Sequence, residues 1–414
     1  MIGSTRTPSP FRSGRSPERW ASARIYFLRE VGPCRSLRIS PRLTRRAGAR
    51  VLTAPRPPGA ILIGLLLPAV QKVRAAAARM RCANSLKQVA LGLHGFESAR
   101  GRFPPAAAPA SGDSFQTPQG RYRGSPKYVS NNRMGRYNWV MVTLPYVEAD
   151  AYYQQAVEAE GAGLNNPVSP YYAGGRSGLA ASLPKLFLCP AESIADPVYA
   201  RAAPFDPSGA TTYTSLCSYV INSGTYLHSG NPGDDEQFDV PDDGVGYWSS
   251  TTRITHITDG TSNTLLLGER AFTDPGYEIV AKAVINEQLA AMGYPAAYYD
   301  LLCGLFGDRL EALGAWDGVT PNDFVSPRGY AVSGTPINYR IQLTPAQLAN
   351  PSGSDPAFLL AYAQRRRAYG SGHPSGANFA FVDGSVRFLN SATPFQLVRN
   401  VSSIAGGEVI PGDF

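Results

Sequence analysis

The residues best suited to chemistry in this sequence are a histidine and an aspartate on either side of a short apolar segment. Nine residues separate His373 from Asp383, and Gly384 follows directly. A His–Asp pair can orient an imidazole as a general base, as in many hydrolases. The sequence contains no G-x-S-x-G, H-E-x-x-H, P-loop or G-x-G-x-x-G motif that would complete a catalytic site. We therefore expect a structural role for this pair, with ligand or metal binding and catalysis as alternatives.

A second group of polar residues lies in the sequence ITHITDGTSNTLLLGE. Asp259 and Gly260 form a tight-turn pair, and the side chains of Asp259 and Asn263 can cap local backbone amides. The apolar residues 264–267 predict a short strand just before Glu269. We expect this segment to be structural. The alternative is a metal or ligand site formed by Asp259, Asn263 and Glu269.

The densest group of carboxylates is the segment Asp234–Asp243, which contains six acidic residues in ten. Clustered carboxylates on a loop suit Ca²⁺, but the spacing does not fit an EF-hand. We expect a solvated acidic loop and no cofactor, with a calcium site as the alternative.

The five cysteines do not form a C-x-x-C pair, which argues against a zinc knuckle or a thioredoxin-like motif. Cys34 lies in a basic segment at the start of the chain. The other four are Cys82, Cys189, Cys217 and Cys303. They could form two disulfides in an exported protein, or remain buried thiols.

The net charge of +8 is unevenly distributed along the chain. Residues 1–59 carry 13 Arg and two Glu, so the remainder of the chain has a net charge of −3. The arginines are not interleaved with aromatic residues, and we expect no nucleic-acid partner. This segment lacks sustained periodicity and is predicted to be disordered. We interpret it as translated upstream DNA rather than native coding sequence.

The histidine and the aspartate must be positioned by a β-hairpin. Residues 379–382 and 385–389 are predicted to form its strands, joined by a two-residue turn at Asp383–Gly384 that requires positive φ. Phe379 and Phe381 then lie on one face of the sheet. His373 precedes the hairpin in a loop of glycine, proline and serine.

The segment 60–101 predicts one long helix. Apolar residues recur at steps of three and four and indicate a single buried face. They are Val70, Val73, Ala77 and Met80, and then Cys82, Leu86, Val89, Leu93 and Phe96. Pro68 is expected to kink the helix. Residues 60–70 are too few to cross a bilayer, which takes about 20 apolar residues. At roughly 60 Å the helix exceeds one small domain, so part of it should project.

The remaining residues, 102–414, are rich in glycine, proline and tyrosine and predict a β-rich globular domain. Residues 277–367 look like a more helical insertion within it. Helical spacing is found there at Glu278–Met292, Ala296–Leu313 and Pro356–Arg367.

Several of these stretches resemble one known family, and they occur in the expected order. The helix reads AILIGLLLPAVQ and then ARMRCANSLKQ, which includes Pro68, Cys82 and Asn84. The sequences LCP, DGTSNT followed by GE, and His-x9-Asp-Gly come after it. The helix is similar to that of type IV prepilins and type II secretion pseudopilins. The whole pattern resembles the bacterial prepilin-like family called domain of unknown function 1559.

The resemblance implies an α+β, pilin-like fold, in which a long N-terminal helix packs on an antiparallel β-rich domain with large loop insertions. Cys82 and Cys189 both lie in family motifs, which suggests a disulfide that links the helix to the domain. Trp139 and Tyr146 match the family pattern of a tryptophan followed by L-P-Y-x-E and suit a domain edge. A sugar-binding aromatic platform is the alternative for these two residues.

The expected function is therefore structural rather than enzymatic. The resemblance implies an envelope protein, anchored in the inner membrane or extracytoplasmic, that self-assembles or joins secretion-type machinery through its helix. Membrane anchoring would require the native start, because residues 51–59 replace the family's Gly-Phe cleavage site and its following glutamate. A solute- or polysaccharide-binding module is the alternative, and a hydrolase using His373 and Asp383 is a third interpretation.

Overall fold

A computed structural model describes residues 58–108, 137–161, 181–192, 198–202, 211–225, 243–247, 250–291, 296, 330–331 and 333–411. All of them belong to one compact unit, which spans residues 58–414. Residues 1–57 and 297–313, for which we predicted disorder and a helix, lie outside the described residues.

The long predicted helix is confirmed as α1, Pro58–Arg100. Its 43 residues correspond to a length of about 65 Å. The helix continues through Pro68 and ends at Arg100. The next residue, Gly101, has a φ of +68° and donates its N–H to the carbonyl of Glu97. Within the described part of the chain, none of the helices combines the length and the apolar character that a bilayer crossing requires.

The prediction of one buried face along α1 is wrong, because its apolar residues form two stripes. Cys82, Leu86, Val89, Leu93 and Phe96 are buried against the domain. The earlier residues Val70, Val73 and Met80 are exposed. At about 100° per residue, the two sets lie on roughly opposite sides of the helix. The change of side falls at the two-residue step from Met80 to Cys82, which breaks the three-and-four spacing.

Two short sheets and one larger sheet accompany α1. Antiparallel pairs are formed by β1 (Ala107–Ala108) with β2 (Tyr137–Asn138) and by β3 (Val198–Ala202) with β4 (Thr211–Ser215). The larger sheet contains β5 (Tyr219–Asn222), β6 (Leu265–Glu269), β7 (Tyr330–Ala331), β8 (Gly376–Phe381) and β9 (Val386–Asn390), in the order β7-β5-β6-β8-β9. Its pairings are antiparallel except for the parallel edge pair β5–β7. The α+β class is thus confirmed.

The larger sheet is buried on both faces, and α1 covers one of them. Ala380 and Val382 pack in a core cluster with Leu86, Val89 and other residues of α1. Phe379 and Phe381, which alternate with these two residues along the strand, pack in a second core cluster on the other face of the sheet. This confirms that the two phenylalanines share a face. Strand β8 therefore lies directly under α1, at the centre of the domain.

The remaining helices are short or lie apart from the sheet. They are α2 (Trp139–Thr143), α3 (Asp150–Gly161), α4 (Pro275–Ala291), α5 (Pro345–Ala349), α6 (Pro356–Arg367) and α7 (Phe395–Asn400). Short 3₁₀ turns occur at Leu144–Tyr146, Lys185–Phe187 and Ile254–His256. Helices α4 and α6 confirm two predicted helices and share a separate apolar cluster, which includes Tyr277 stacked on Tyr362.

The hairpin β8–β9 is confirmed, but its turn differs from the prediction. The N–H of Gly384 donates to the carbonyl of Phe381, and the N–H of Phe381 donates to the carbonyl of Ser385. Gly384 has a φ of +79°, whereas Asp383 does not have a positive φ. The loop therefore has three residues, in which a tight turn is followed by a left-handed glycine. The extra residue accommodates the twist of the strands without requiring Asp383 to adopt a left-handed conformation.

Candidate functional site

Four residues from four separate motifs converge in one buried cluster, which we call the Cys-Glu-His cluster. Its members are Cys82 on α1, Cys189 after a 3₁₀ turn, Glu269 at the end of β6, and His373 in the loop before β8. Their side-chain sulfur, oxygen and nitrogen atoms all lie within 4.8 Å of one another, and all four residues are buried. Sequence motifs almost 300 residues apart thus build one site.

The predicted disulfide between Cys82 and Cys189 is present and links α1 to the domain. Cys189 is held by its N–H, which donates to Oγ of Ser218 at 2.9 Å. The N–H of Ser218 in turn donates to the carbonyl of Phe187 at 2.9 Å. The free thiol of Cys217 is separate from this bond, and burial raises its pKa to about 12. Cys34 and Cys303 lie outside the described residues.

Glu269 is a fully buried carboxylate with strong local partners. Asn378 on the neighbouring strand donates its backbone N–H to Oε2 at 2.7 Å and its Nδ2 to Oε1 at 3.1 Å. Oε1 also lies 3.4 Å from Nε2 of His373. These donors compensate the carboxylate for its lost hydration, which explains how it is accommodated between the two strands.

His373 is fixed by a tight loop rather than by a strand. Its N–H donates to Oγ of Ser371 at 3.0 Å, and that hydroxyl donates to the carbonyl of Gly376 at 2.6 Å. Asn338 closes the loop, because its Oδ1 accepts the N–H of Ser371 at 2.7 Å. The result is that Nε2 lies 3.4 Å from Sγ of Cys189. No sequence signal points to Asn338 or Asn378 as supports of this cluster.

A second carboxyl group, Glu192, lies close enough to the cluster to interact with it electrostatically. Burial raises the pKa of Glu192, and the charge of Glu269 acts in the same direction. Hydrogen bonds from the backbone of Phe272 and Gly372, and the charge of Arg340, oppose this rise in pKa. Burial is the largest of these effects, so the net result is a pKa of Glu192 above its ordinary value.

The structure does not bring His373 and Asp383 together. Strand β8 separates them by about 20 Å of extended chain. His373 is buried in the cluster, whereas Asp383 is exposed and its Oδ1 accepts the N–H of Ser385 at 2.8 Å. A general base made from these two side chains has no support in this arrangement.

The Asp-Gly end of the motif instead holds α1 and the DGTSNT turn in place. Nζ of Lys87 on α1 donates to the carbonyl of Gly384 at 2.6 Å. The N–H of Asp383 donates to the carbonyl of Thr261 at 2.9 Å. The histidine end of the His-x9-Asp-Gly motif therefore lies within 4.8 Å of Cys82 on α1, and the glycine end binds Lys87, five residues further along the helix.

Asp259 and Asn263 have structural partners, but these differ from the predicted local caps. Asp259 accepts the backbone N–H groups of Gly406 and Gly407 at 2.7 and 3.0 Å. Asn263 donates its Nδ2 to the carbonyl of Asp259 at 3.3 Å, while Gly260 adopts a φ of +96°. The carboxylate of Asp259 thus fixes the C-terminal segment, 147 residues away, a long-range pairing that no local sequence rule identifies.

The other predicted site residues do not enter the cluster. Pro68 lies within the first half of α1, and Asn84 is exposed on its surface. In the segment proposed as a calcium site, residues 234–242 lie outside the described residues. Its last residue, Asp243, accepts hydrogen bonds from the N–H and the hydroxyl of Thr225.

The two predicted edge aromatics have different environments. Trp139 is fully buried in the core beneath α1 and is not available to stack on a sugar. Tyr146 is 36% exposed and packs edge-on against Phe96 of α1. Both therefore help to attach the helix to the domain.

A family model described as "Protein of unknown function (DUF1559)" matches residues 71–396. The matched range contains all four members of the Cys-Glu-His cluster and both ends of the His-x9-Asp-Gly motif. No curated protein and no solved structure matches the chain. Because the family model covers more than half of the sequence, the predicted resemblance is confirmed and the chain belongs to the DUF1559 family.

Proposed function

We propose that this protein is a non-enzymatic, pilin- or pseudopilin-like component of the cell envelope that assembles through α1. The observation that carries the proposal is an apolar stripe on the helix surface that faces away from the domain. Its members are Leu66, Val70, Val73, Met80 and Leu91, which are between 45% and 68% exposed. We call this set the outer stripe.

The outer stripe is confined to a narrow part of the helix surface. At about 100° per residue its five members fall within roughly 80° of one another. Exposed apolar surface is unfavourable in water and typically marks an interaction site. The stripe is continuous from Leu66 to Met80, and the exposed residues Asn84 and Gln88 separate this part from Leu91. Copies of α1 packed side by side would remove this surface from water while each domain stays attached to the opposite face of its own helix.

The chemistry of the outer stripe also favours a second copy of the same helix over a polar ligand. Its side chains are aliphatic or thioether groups, and they recur at helical spacing over 25 residues. Parallel or staggered helices can interdigitate such side chains along their length. In this proposal the protein acts outside the cytoplasm, which suits its disulfide.

The test compares the masses of the full chain and of charged variants by sedimentation velocity over a range of concentrations. Wild type should form concentration-dependent oligomers, and Val73→Asp or Met80→Asp should shift the distribution to monomer. Leu348→Asp is the matched control, because Leu348 on α5 is 51% exposed but lies outside the stripe. Equal distributions for wild type and the two α1 variants would refute the proposal.

A further inference from the structure

We propose that the Cys-Glu-His cluster binds a zinc ion when the Cys82–Cys189 disulfide is reduced. The cluster supplies two sulfurs, one imidazole nitrogen and one carboxylate oxygen, and these four atoms lie within 4.8 Å of one another. Thiolate, imidazole and carboxylate are the ligands that Zn²⁺ uses in proteins, and four of them complete a closed structural site. The proposal rests on this cluster alone and is independent of helix assembly.

The position of His373 is the strongest geometric support. In a tetrahedral zinc site, bonds of about 2.0–2.3 Å place neighbouring ligand atoms roughly 3.3–3.8 Å apart. Nε2 of His373 already lies 3.4 Å from Sγ of Cys189 and 3.4 Å from Oε1 of Glu269. One imidazole nitrogen therefore has tetrahedral separations from a sulfur and from an oxygen before any metal is bound.

The surroundings of the cluster provide the outer support that metal sites require. Asn378 holds both oxygens of the Glu269 carboxylate in place, because its backbone N–H donates to Oε2 and its Nδ2 donates to Oε1, the oxygen that lies beside His373. The loop hydrogen bonds of Ser371 fix the backbone of His373. Such partners orient ligands and typically change metal affinity by about 10- to 100-fold.

The chemical change is a two-electron reduction followed by metal binding. A dithiol reductant breaks the S–S bond, transfers two electrons and two protons to the sulfurs, and leaves as its own disulfide. Zn²⁺ then replaces the two thiol protons, which pass to water. Two thiolates, one carboxylate and Zn²⁺ give a net charge of −1, partly balanced by the donors from Asn378.

The consequence is that one set of residues can join α1 to the domain in either redox state. In an oxidising compartment the covalent bond makes the link. Under reducing conditions the metal would make it through the same two sulfurs. Without either, the two buried thiols would not cross-link the helix to the domain.

The test uses Co²⁺ as a spectroscopic probe for zinc and the full chain with Cys34→Ser and Cys303→Ser substitutions. The chain is reduced anaerobically with a phosphine, which leaves as its oxide after taking oxygen from water. We expect one equivalent of Co²⁺ to produce the visible bands of a tetrahedral site and a thiolate charge-transfer band, both of which Zn²⁺ displaces. The oxidised chain should show neither.

Variants assign the signal to the cluster. Cys82→Ser, Cys189→Ser, His373→Ala and Glu269→Gln should each weaken binding by at least about tenfold. Cys217→Ala is the matched control, because it removes a buried thiol that is not a cluster member, and it should leave the bands unchanged. The assembly variant Val73→Asp should also bind Co²⁺ normally, which separates this proposal from the proposed function.

Near-UV circular dichroism shows whether reduction unfolds the chain. In that case stoichiometric Zn²⁺ should restore the native spectrum, and failure to restore it would overturn the proposal. A reduced chain that stays folded but shows no cobalt bands would overturn it as well. The same conclusion follows if Cys217→Ala weakens binding as much as Cys82→Ser does.

Discussion

Loss of the cross-link between Cys82 and Cys189 should cost this domain much of its stability. The disulfide closes a loop whose ends are 107 residues apart in the sequence. In the chain-entropy description, such a loop lowers the entropy of the unfolded chain by about 16 cal/mol/K, which corresponds to about 4.8 kcal/mol at 25 °C. Because residual structure in the unfolded chain reduces this gain, we expect the double variant Cys82→Ala/Cys189→Ala to lose about 3–5 kcal/mol.

The assay is equilibrium urea denaturation of the full chain in the presence of a metal chelator. Tryptophan fluorescence, to which the buried Trp139 contributes, can report the transition. Cys217→Ala is the control for the loss of a buried thiol without loss of a cross-link, and it should cost about 1 kcal/mol. Reduced wild type should be about as stable as the double variant.

Two results would contradict the reasoning. One is a double variant that loses less than about 1 kcal/mol more free energy of unfolding than Cys217→Ala does. The entropy of the closed loop would then contribute little to the folding equilibrium. The other is a reductant that destabilises the double variant as much as the wild type, because that effect could not come from the bond between Cys82 and Cys189.

Three further predictions concern single residues and use the same denaturation assay. Glu269→Gln should cost about 1–3 kcal/mol, since the amide cannot accept both Asn378 bonds, whereas exposed Asp383→Asn should stay within about 0.5 kcal/mol. Gly384→Ala should cost about 1–2 kcal/mol, because alanine disfavours the left-handed φ of this position. Steric contact is not the cause, since the added Cβ meets only Nζ of Lys87 at 3.7 Å. Gly384→Asn should cost less. Burial raises the pKa of Glu192 in the folded protein above its ordinary 4.5. The contribution of this side chain to stability is therefore fully present below pH 4.5, and it is lost as the pH rises through the pKa of the folded state. Between pH 4 and pH 7, the free energy of unfolding of Glu192→Gln should therefore rise relative to that of the wild type. A difference between the two proteins that does not change with pH would contradict this.

The sequence predicted the local elements well because their signals are local. The spacing of apolar residues predicted α1, and the alternation around Phe379 and Phe381 predicted the hairpin. The prediction of a single buried face for α1 was wrong because the two-residue step from Met80 to Cys82 moves the apolar residues to the other side of the helix. Periodicity within each set shows that its residues share a face, but it does not show which of the two faces the domain covers.

The Cys-Glu-His cluster could be predicted only in part. Each of its four members lies in a motif that the sequence made recognisable, and the resemblance suggested one pair, Cys82 with Cys189. The proximity of Glu269 to His373 depends on the pairing of β6 with β8 and on a loop closed by Asn338. Strand order and long-range side-chain partners are tertiary features that spacing alone does not encode.

The attachment of α1 has a mechanical consequence. Tension on the N-terminal part of α1 would meet the non-covalent contact of Arg79 with Phe388 and then the covalent bond from Cys82 to Cys189. Non-covalent contacts such as that between Lys87 and Gly384 lie further along the helix and would bear load only after the covalent link yields or deforms. The N–H of Cys189 donates to Ser218, directly before β5, so the load would pass to that strand of the sheet. The domain would then resist being pulled away from α1 more strongly than its apolar packing alone would allow.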